Sequence, residues 1–423
     1  MPNTEQKPMQ IVDHDRCTGC GACANICPNQ CVTMQIHESG FYRPVTMELQ
    51  CSGCDECMSV CPVLQKSDED CKEPGHVSAC WHSSDDVRKY SSSGGLFSAI
   101  AEYVLDQGGS VFGAAFDNNF VVKHHAVHSI SEIDILRRSK YVQSHIHEKT
   151  YSQAIDILRR NQIVFFVGTP CQIAGLNHVV KAQSDFKEWS KHLVTADIIC
   201  HGVPSPVFWA MHLNELENRF KSKIVSVNFR PKEDKRNVKW GEYFLHCIFE
   251  NGREYFKRSG EDFFYSHFMQ NLYLQPSCYS CSYAKILRIG DLTLGDFWKI
   301  GKEIPFSHSI EQGISLILIN TPQGKRFFHQ IKSRIFCEER TMDEAIQGLS
   351  KLSRPAIPHP RRNDFKKDFV DRKLSFAKLK RKYFLWLSLK KRFKRLAIKV
   401  VGQKVVSHLT KTDNSLMKRS KTP

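Results

Sequence analysis

At 423 residues the chain is too long for a single hydrophobic core and should divide into two or three domains, with a 41% apolar content that suffices to bury them. No apolar run approaches the ~20 residues of a membrane span, and no apolar segment near Met1 suits export, so a cytoplasmic protein with reduced cysteines is expected. The formal charge of +16 is unevenly placed: residues 351–423 carry 23 Lys and Arg against 4 Asp and Glu, which leaves −3 on the rest and assigns any contact with membrane, nucleic acid or an acidic partner to the tail.

Cys17, Cys20, Cys23 and Cys27 precede Pro28, and the same run recurs 34 residues later as Cys51, Cys54, Cys57 and Cys61 before Pro62. C-x2-C-x2-C-x3-C-P in duplicate is the spacing of bacterial two-cluster ferredoxins, in which the fourth thiolate of each run crosses to the other cluster. Crossed ligation predicts one [4Fe-4S] cluster on Cys17, Cys20, Cys23 and Cys61, and a second on Cys51, Cys54, Cys57 and Cys27. Zinc knuckles need only four ligands from two C-x2-C hooks and leave the third cysteine of each run unexplained.

Residues 31–47 alternate around Glu38-Ser39-Gly40 as a hairpin between the two cluster loops, and the polar residues 65–75 read as a linker flanked by the spare thiols Cys71 and Cys80. From residue 77 strands and helices alternate. Ser91-Ser92-Ser93-Gly94-Gly95 leads into a helix over 96–106, then a strand over 110–116. A helix over 148–160, a strand over 163–167 and the turn Gly168-Thr169-Pro170-Cys171-Gln172 into another helix follow. Further strands are expected over 193–199, 223–230, 243–249, 253–257 (across an Asn251-Gly252 turn), 291–294 and 314–319. The pattern is α+β to α/β, with ligands expected where parallel strands end.

Ser92, Ser93, Gly94 and Gly95 stand where a helix start offers backbone N–H groups to an anion such as a dinucleotide pyrophosphate; a plain serine cap is the competing reading. Gly168, Thr169 and Gln172 form a second such turn, and Cys171 in it would have its thiolate favoured by the helix dipole. Arg138 to Ser144, with Lys140 and Tyr141, offers a cation, an aromatic ring and amides to a flavin. Cys278 and Cys281 form a C-x2-C hook that could join Cys171 and Cys200 around a third cluster, or be a redox dithiol or a fortuitous pair. Arg288, Asp291, Asp296 and Trp298 are secondary candidates, whereas Cys247 and Cys337 read as packing. Among 19 histidines there is no H-E-x-x-H, and neither a G-x-G-x-x-G, a P-loop nor a G-x-S-x-G occurs.

With SSSGGLFSAI, RRSKYVQS, VGTPCQIAGL, DIICHGVPSP, CYSCSYA and GDLTLGDFW following the cysteine runs in that order, the chain resembles the coenzyme F420 hydrogenase/dehydrogenase beta-subunit family over roughly residues 15–340. The resemblance implies FAD, iron–sulfur clusters and, in many members, hydride exchange with a deazaflavin; others accept electrons from ferredoxin or lie beside surface-polysaccharide genes. The expected layout is a two-cluster ferredoxin domain over 8–70, the two parts of the family domain over 77–165 and 166–345, and a basic amphipathic tail over 355–423. The expected function is an iron–sulfur flavoprotein oxidoreductase working between an organic hydride carrier, coenzyme F420 among the candidates, and the clusters. The alternative is a relay subunit without its own substrate, between ferredoxin and a partner enzyme such as one of surface-polysaccharide synthesis. In residues 375–401 Lys and Arg interleave with apolar residues, which suits either an anionic membrane surface or packing; no nucleic-acid module is evident.

Overall fold

The computed structural model describes residues 10–65, 73–232 and 236–385. Cys71, most of the expected linker, the first two residues of the ferredoxin domain and the tail beyond 385, with Trp386, Leu387, Phe393, Leu396 and Ile398, lie outside the described residues. Contacts divide the chain into two units, Met1–Arg362 and Asn363–Pro423.

The first unit opens with the hairpin β1 (Val32–Ile36) and β2 (Tyr42–Thr46), antiparallel as expected, each strand preceded or followed by a cysteine loop. The main sheet takes β3 (His76–His82), β4 (Ser110–Phe116), β5 (Val122–Val127), β6 (Val164–Gly168) and β7 (Leu193–Ile198). A separate antiparallel sheet of β8 (Ile224–Asn228), β9 (Phe244–Phe249) and β10 (Glu254–Arg258) follows, and β11 (Leu292–Asp296), β12 (Ser315–Ile319) and β13 (Ile335–Arg340) return to the main sheet. Its order is β13-β3-β12-β11-β7-β6-β4-β5. β4, β6, β7 and β11 run parallel; β5 pairs antiparallel with β4, and β12, β3 and β13 each pair antiparallel with their neighbours, so that β3 runs in the same sense as the parallel set.

The parallel strands are buried on both faces, which is why Val164-Phe165-Phe166 reads as a continuous apolar run. Alternate residues face opposite layers. Phe165 and Val194 pack with Leu96, Ile100 and Val104 of helix Leu96–Asp106, whereas Phe112, Phe166 and Leu193 pack with Tyr151, Leu158, Ile173 and Val180 of helices Thr150–Arg159 and Pro170–Lys181. Cys20, Ala22 and Val60 join the second layer, so the ferredoxin-type module shares a core with the sheet. Because β6, β7 and β11 point the same way, Gly168-Thr169, Cys200 and Asp296 emerge at one edge.

In the second unit, helix Phe376–Lys380 begins after Ser375, and Phe376, Leu379 and Tyr383 of the expected amphipathic set are buried. Tyr383 Oη donates to Asp368 Oδ2 at 2.7 Å and Arg372 Nη1 to Asp368 Oδ1 at 2.8 Å. Three members of that apolar face are thereby withdrawn from solvent. Among the described residues no helix is long and apolar enough to cross a membrane.

Candidate redox site

In the N-terminal module Cys17, Cys20, Cys23 and Cys61 are buried and line one small cavity. Burial pushes the Cys20 thiol up to about 12, and the neighbouring Cys17 and Cys61 sulfurs add to it although Cys61 comes from the other repeat. Burial followed by the same kind of crowding from Cys27 and Cys51 raises Cys57. Cys61 thus neighbours Cys17 and Cys20, Cys27 and Cys51 neighbour Cys57, and Cys54 is exposed on the second loop. Gly19, Gly21 and Gly53 have φ of 66°, 78° and 69°, which lets the cysteine loops turn back on themselves. Cys31, which the repeat does not mark, is buried with its Sγ 3.3 Å from Cys27 Sγ.

In the body, one cavity of about 860 Å³ is lined by Ser92, Ser93, Gly95, Lys140, Tyr141, Gly168, Thr169, Gln172, Cys171, Cys200, Cys278 and Cys281. Gly94 is the exception. Its N–H donates to Ser315 Oγ at 3.0 Å, its carbonyl accepts from His82 N at 2.8 Å, and a Cβ would come within 2.6 Å of the Cys80 carbonyl oxygen. It fastens the loop to the sheet and offers no amide to a ligand. The open amides belong to the first turn of helix Leu96–Asp106, whose N-cap Gly95 has φ 89° and supplies no side-chain cap. Ser93 Oγ is likewise engaged, donating to the Ile314 carbonyl at 3.0 Å, while Ser92 Oγ accepts from Ser139 N at 3.0 Å and ties the two candidate loops together.

Lys140 lines the cavity but aims its ammonium at its own loop, donating to the carbonyls of Ile135 at 2.9 Å and Arg137 at 2.5 Å. Burial, then Arg138, lowers it to about 7. Tyr141 stacks on Phe268 at 4.8 Å.

The turn after β6 is ordered by candidate residues together with His124, which the sequence does not mark. His124 Nε2 donates to the Val167 carbonyl at 3.0 Å, which leaves Nδ1 to accept from Ser144 Oγ at 2.8 Å. Ser144 Oγ accepts from Gln172 Nε2 at 3.0 Å, and Gln172 Oε1 accepts from Thr169 N at 2.9 Å. Burial keeps His124 neutral, lowering it to about 4.

Arg230 is a cation missed by sequence reasoning. It forms a bidentate pair with Asp296 at 2.7 and 3.1 Å beneath Tyr243 and Trp298, whose rings lie 5.0 and 5.5 Å from its guanidinium carbon. Asp291, by contrast, is structural: it accepts from Thr195 N and Oγ1 and from Thr321 Oγ1.

Cys171, Cys200, Cys278 and Cys281 come together from two strand ends and the hook. The dipole argument for a Cys171 thiolate does not hold, because burial and then the three other sulfurs outweigh the Thr169 hydrogen bond and push the thiol well up. Burial also raises Cys200, to about 11. Lys351, unmarked in sequence, lines the same end and acts electrostatically on Cys200, Cys278 and Cys281. Among the described residues no three His, Cys, Asp or Glu side chains meet closely enough to ligate a single ion.

Cys337 does not stand alone: β13 places it directly opposite Cys80 on β3. Cys80 is buried, and its hydrogen bond lowers the exposed Cys337 to about 6, with Lys332 adding to the effect. Alkylation by iodoacetamide is therefore expected to begin at Cys337, with a rate that rises through pH 6 as the thiolate forms and is already on its plateau at pH 8, as peptide mass spectrometry would measure. A midpoint above pH 8 would show that the pairing with Cys80 does not hold in solution.

Residues 161–345 match the family described as the C terminus of the coenzyme F420 hydrogenase/dehydrogenase beta subunit, and residues 16–64 match the 4Fe-4S dicluster domain. No curated protein matches the chain. Among solved structures, a chain of the F420-reducing [NiFe] hydrogenase complex from Methanosarcina barkeri, determined after xenon derivatization, is 16% identical over 66% of this chain and 90% of that one, with a TM-score of 0.44.

Proposed function

Because residues 161–345 match the C-terminal model of the coenzyme F420 hydrogenase/dehydrogenase beta-subunit family and residues 16–64 match the 4Fe-4S dicluster domain, we propose that the chain is an iron–sulfur flavoprotein oxidoreductase. It passes electrons between an organic hydride carrier and ferredoxin-type clusters. The observation that carries this reading is that one cavity is bounded by both glycine-bearing helix starts, the Lys140–Tyr141 loop, the four body cysteines and Thr18, Gly19 and Pro62 of the N-terminal module.

Its volume of about 860 Å³ falls within the range of cofactor pockets, roughly 300–1,000 Å³. A flavin bound there would supply exchange of an electron pair as hydride on one side and single electrons on the other. The chain's own residues do the rest. The open amides after Gly95, with Ser92 beside them, suit a diphosphate at a helix start. Tyr141 gives an aromatic wall, and the His124–Ser144–Gln172 network holds the Thr169 turn in one conformation. Cys171, Cys200, Cys278 and Cys281 would hold a third cluster between that pocket and the module.

Anaerobic purification with flavin and iron counts tests this. One FAD and about twelve irons per chain are expected, falling to about eight in the double variant Cys278→Ser with Cys281→Ser. A protein loaded with iron but devoid of flavin would replace the reading by that of a relay subunit, and twelve irons in the double variant would remove the third cluster.

A further inference from the structure

The two cysteine groups of the N-terminal module have opposite surroundings. Around Cys20 the module is pressed into the body. Gly175, inside helix Pro170–Lys181 whose first turn carries Cys171, sits so close that a Cβ would meet Cys20 Sγ at 3.0 Å and Cys20 Cβ at 3.1 Å. A mid-helix glycine weakens a helix relative to alanine, and here it makes room for the sulfur. Tyr151 Oη lies 2.7 Å from the Cys20 carbonyl oxygen and 3.0 Å from that of Gln172. Gln275 Nε2 donates to the Cys17 carbonyl at 2.9 Å, three residues before Cys278.

Around Cys54 the reverse holds. Cys54 is exposed, as are Ser52, Gly53, Asp55 and Glu56, and the side chain of Leu49 is fully so at 104%. Val45 and Met47 leave further apolar surface at 41% and 40% exposure.

On the reading that both groups hold clusters, we propose that the Cys17, Cys20, Cys23 and Cys61 group is the inner relay, and that the face bearing Cys54 is the port at which a separate one-electron redox protein docks. The inner group abuts the helix of Cys171 and the loop of Cys278, and the cavity lining takes in Thr18, Gly19 and Pro62 beside that group but none of Cys27, Cys51, Cys54 and Cys57. Transfer at the port moves one electron: the reduced second cluster is oxidised by one equivalent and the partner reduced by one, with no bond made or broken. Residues 44–65 contain no Lys or Arg but include Glu48, Asp55 and Glu56 around Val45, Met47 and Leu49. The partner that fits presents a cationic rim around an apolar centre, since complementary charge speeds encounter and like charge suppresses it.

Two measurements on the intact, dithionite-reduced protein test this without involving flavin. In electron paramagnetic resonance with an added dysprosium chelate, one of the two module signals should show strong relaxation enhancement and the other little. Equal enhancement of both overturns the order. In stopped flow, reoxidation by hexaammineruthenium(III), a small cationic acceptor, should slow about tenfold at low salt in Asp55→Lys with Glu56→Lys, while ferricyanide, an anion, should speed up, both differences shrinking with added salt. Glu250→Lys with Glu261→Lys, the same charge change at exposed positions near the separate sheet, should leave both rates within about twofold. Equal effects of the two double variants, or none at Asp55 and Glu56, overturn the port. Iron counts accompany each variant, so failure of the cluster reading itself would show as missing iron before either measurement.

Discussion

Arg288→Ala is expected to destabilise the unit ending at Arg362 by about 3–5 kcal/mol, because it leaves a buried carboxylate without its partner, and, on the proposal that the body cysteines hold a cluster, to lower the iron count. Asp197 is fully buried and Arg288 nearly so, with Nη2 2.6 Å and Nε 3.1 Å from Asp197 Oδ1. The other carboxylate oxygen accepts from Ile289 N at 3.2 Å and Gly290 N at 2.9 Å, so Asp197 cannot turn away to find water. Nη1 also donates to the carbonyls of Tyr283 at 2.9 Å and Lys285 at 3.3 Å, which fixes the segment leading from the Cys278–Cys281 hook to β11. Anaerobic denaturation and an iron count measure the two effects together. A change below about 1 kcal/mol with full iron would mean that the segment is held by other contacts.

Arg230→Met is expected to cost a similar 3–5 kcal/mol, and adding Asp296→Leu should restore most of it. The single change strands Asp296, which keeps only the 3.1 Å hydrogen bond from Trp240 Nε1. The double change replaces both charges by apolar side chains among Tyr243, Trp240 and Trp298, an exchange that buried pairs often tolerate. Both variants alter the cavity wall, so flavin content read beside chemical denaturation separates stability from binding. Flavin retained in the stable double variant would show that the guanidinium is a structural strut, whereas its loss would show that it touches the cofactor. Equal destabilisation of single and double variants would sink the ion-pair account.

Much of the local structure was legible. The hairpin expected over 31–47 forms as β1 and β2, the strand over 110–116 forms as β4, and the turn Gly168–Gln172 opens a helix with Thr169 and Gln172 as its capping box. Each of these depends on a few neighbouring residues: alternation, a glycine turn, a cap three residues from its partner. The site was less legible. Gly94 looked like an anion-binding glycine, but its N–H is bonded to Ser315, more than two hundred residues away in sequence. Cys337 looked isolated because its neighbour Cys80 belongs to a strand that joins the sheet much earlier in the chain. Arg230 and His124 carried no local signature at all.

What the sequence by itself determined is the set of groups whose chemistry depends on spacing along the chain. Duplicated C-x2-C-x2-C-x3-C-P runs mark a 4Fe-4S dicluster domain, because three of each four thiolates are placed by one short loop. The helix starts after Gly95 and Thr169 are equally local. Tertiary structure alone decided what those groups face: the order of the strands brings Gly168, Cys200 and Asp296 to one edge, and β3 inserts between β12 and β13 to place Cys80 opposite Cys337. It also decided that Cys20 lies inward against Gly175 while Cys54 faces solvent. Cysteine spacing, which is identical in the two copies, cannot specify such an asymmetry; the residues between the cysteines differ, with Gly21 and Ala22 in one copy against Asp55 and Glu56 in the other, but which surface is covered is decided only when the sheet and its helix layers close over one of them.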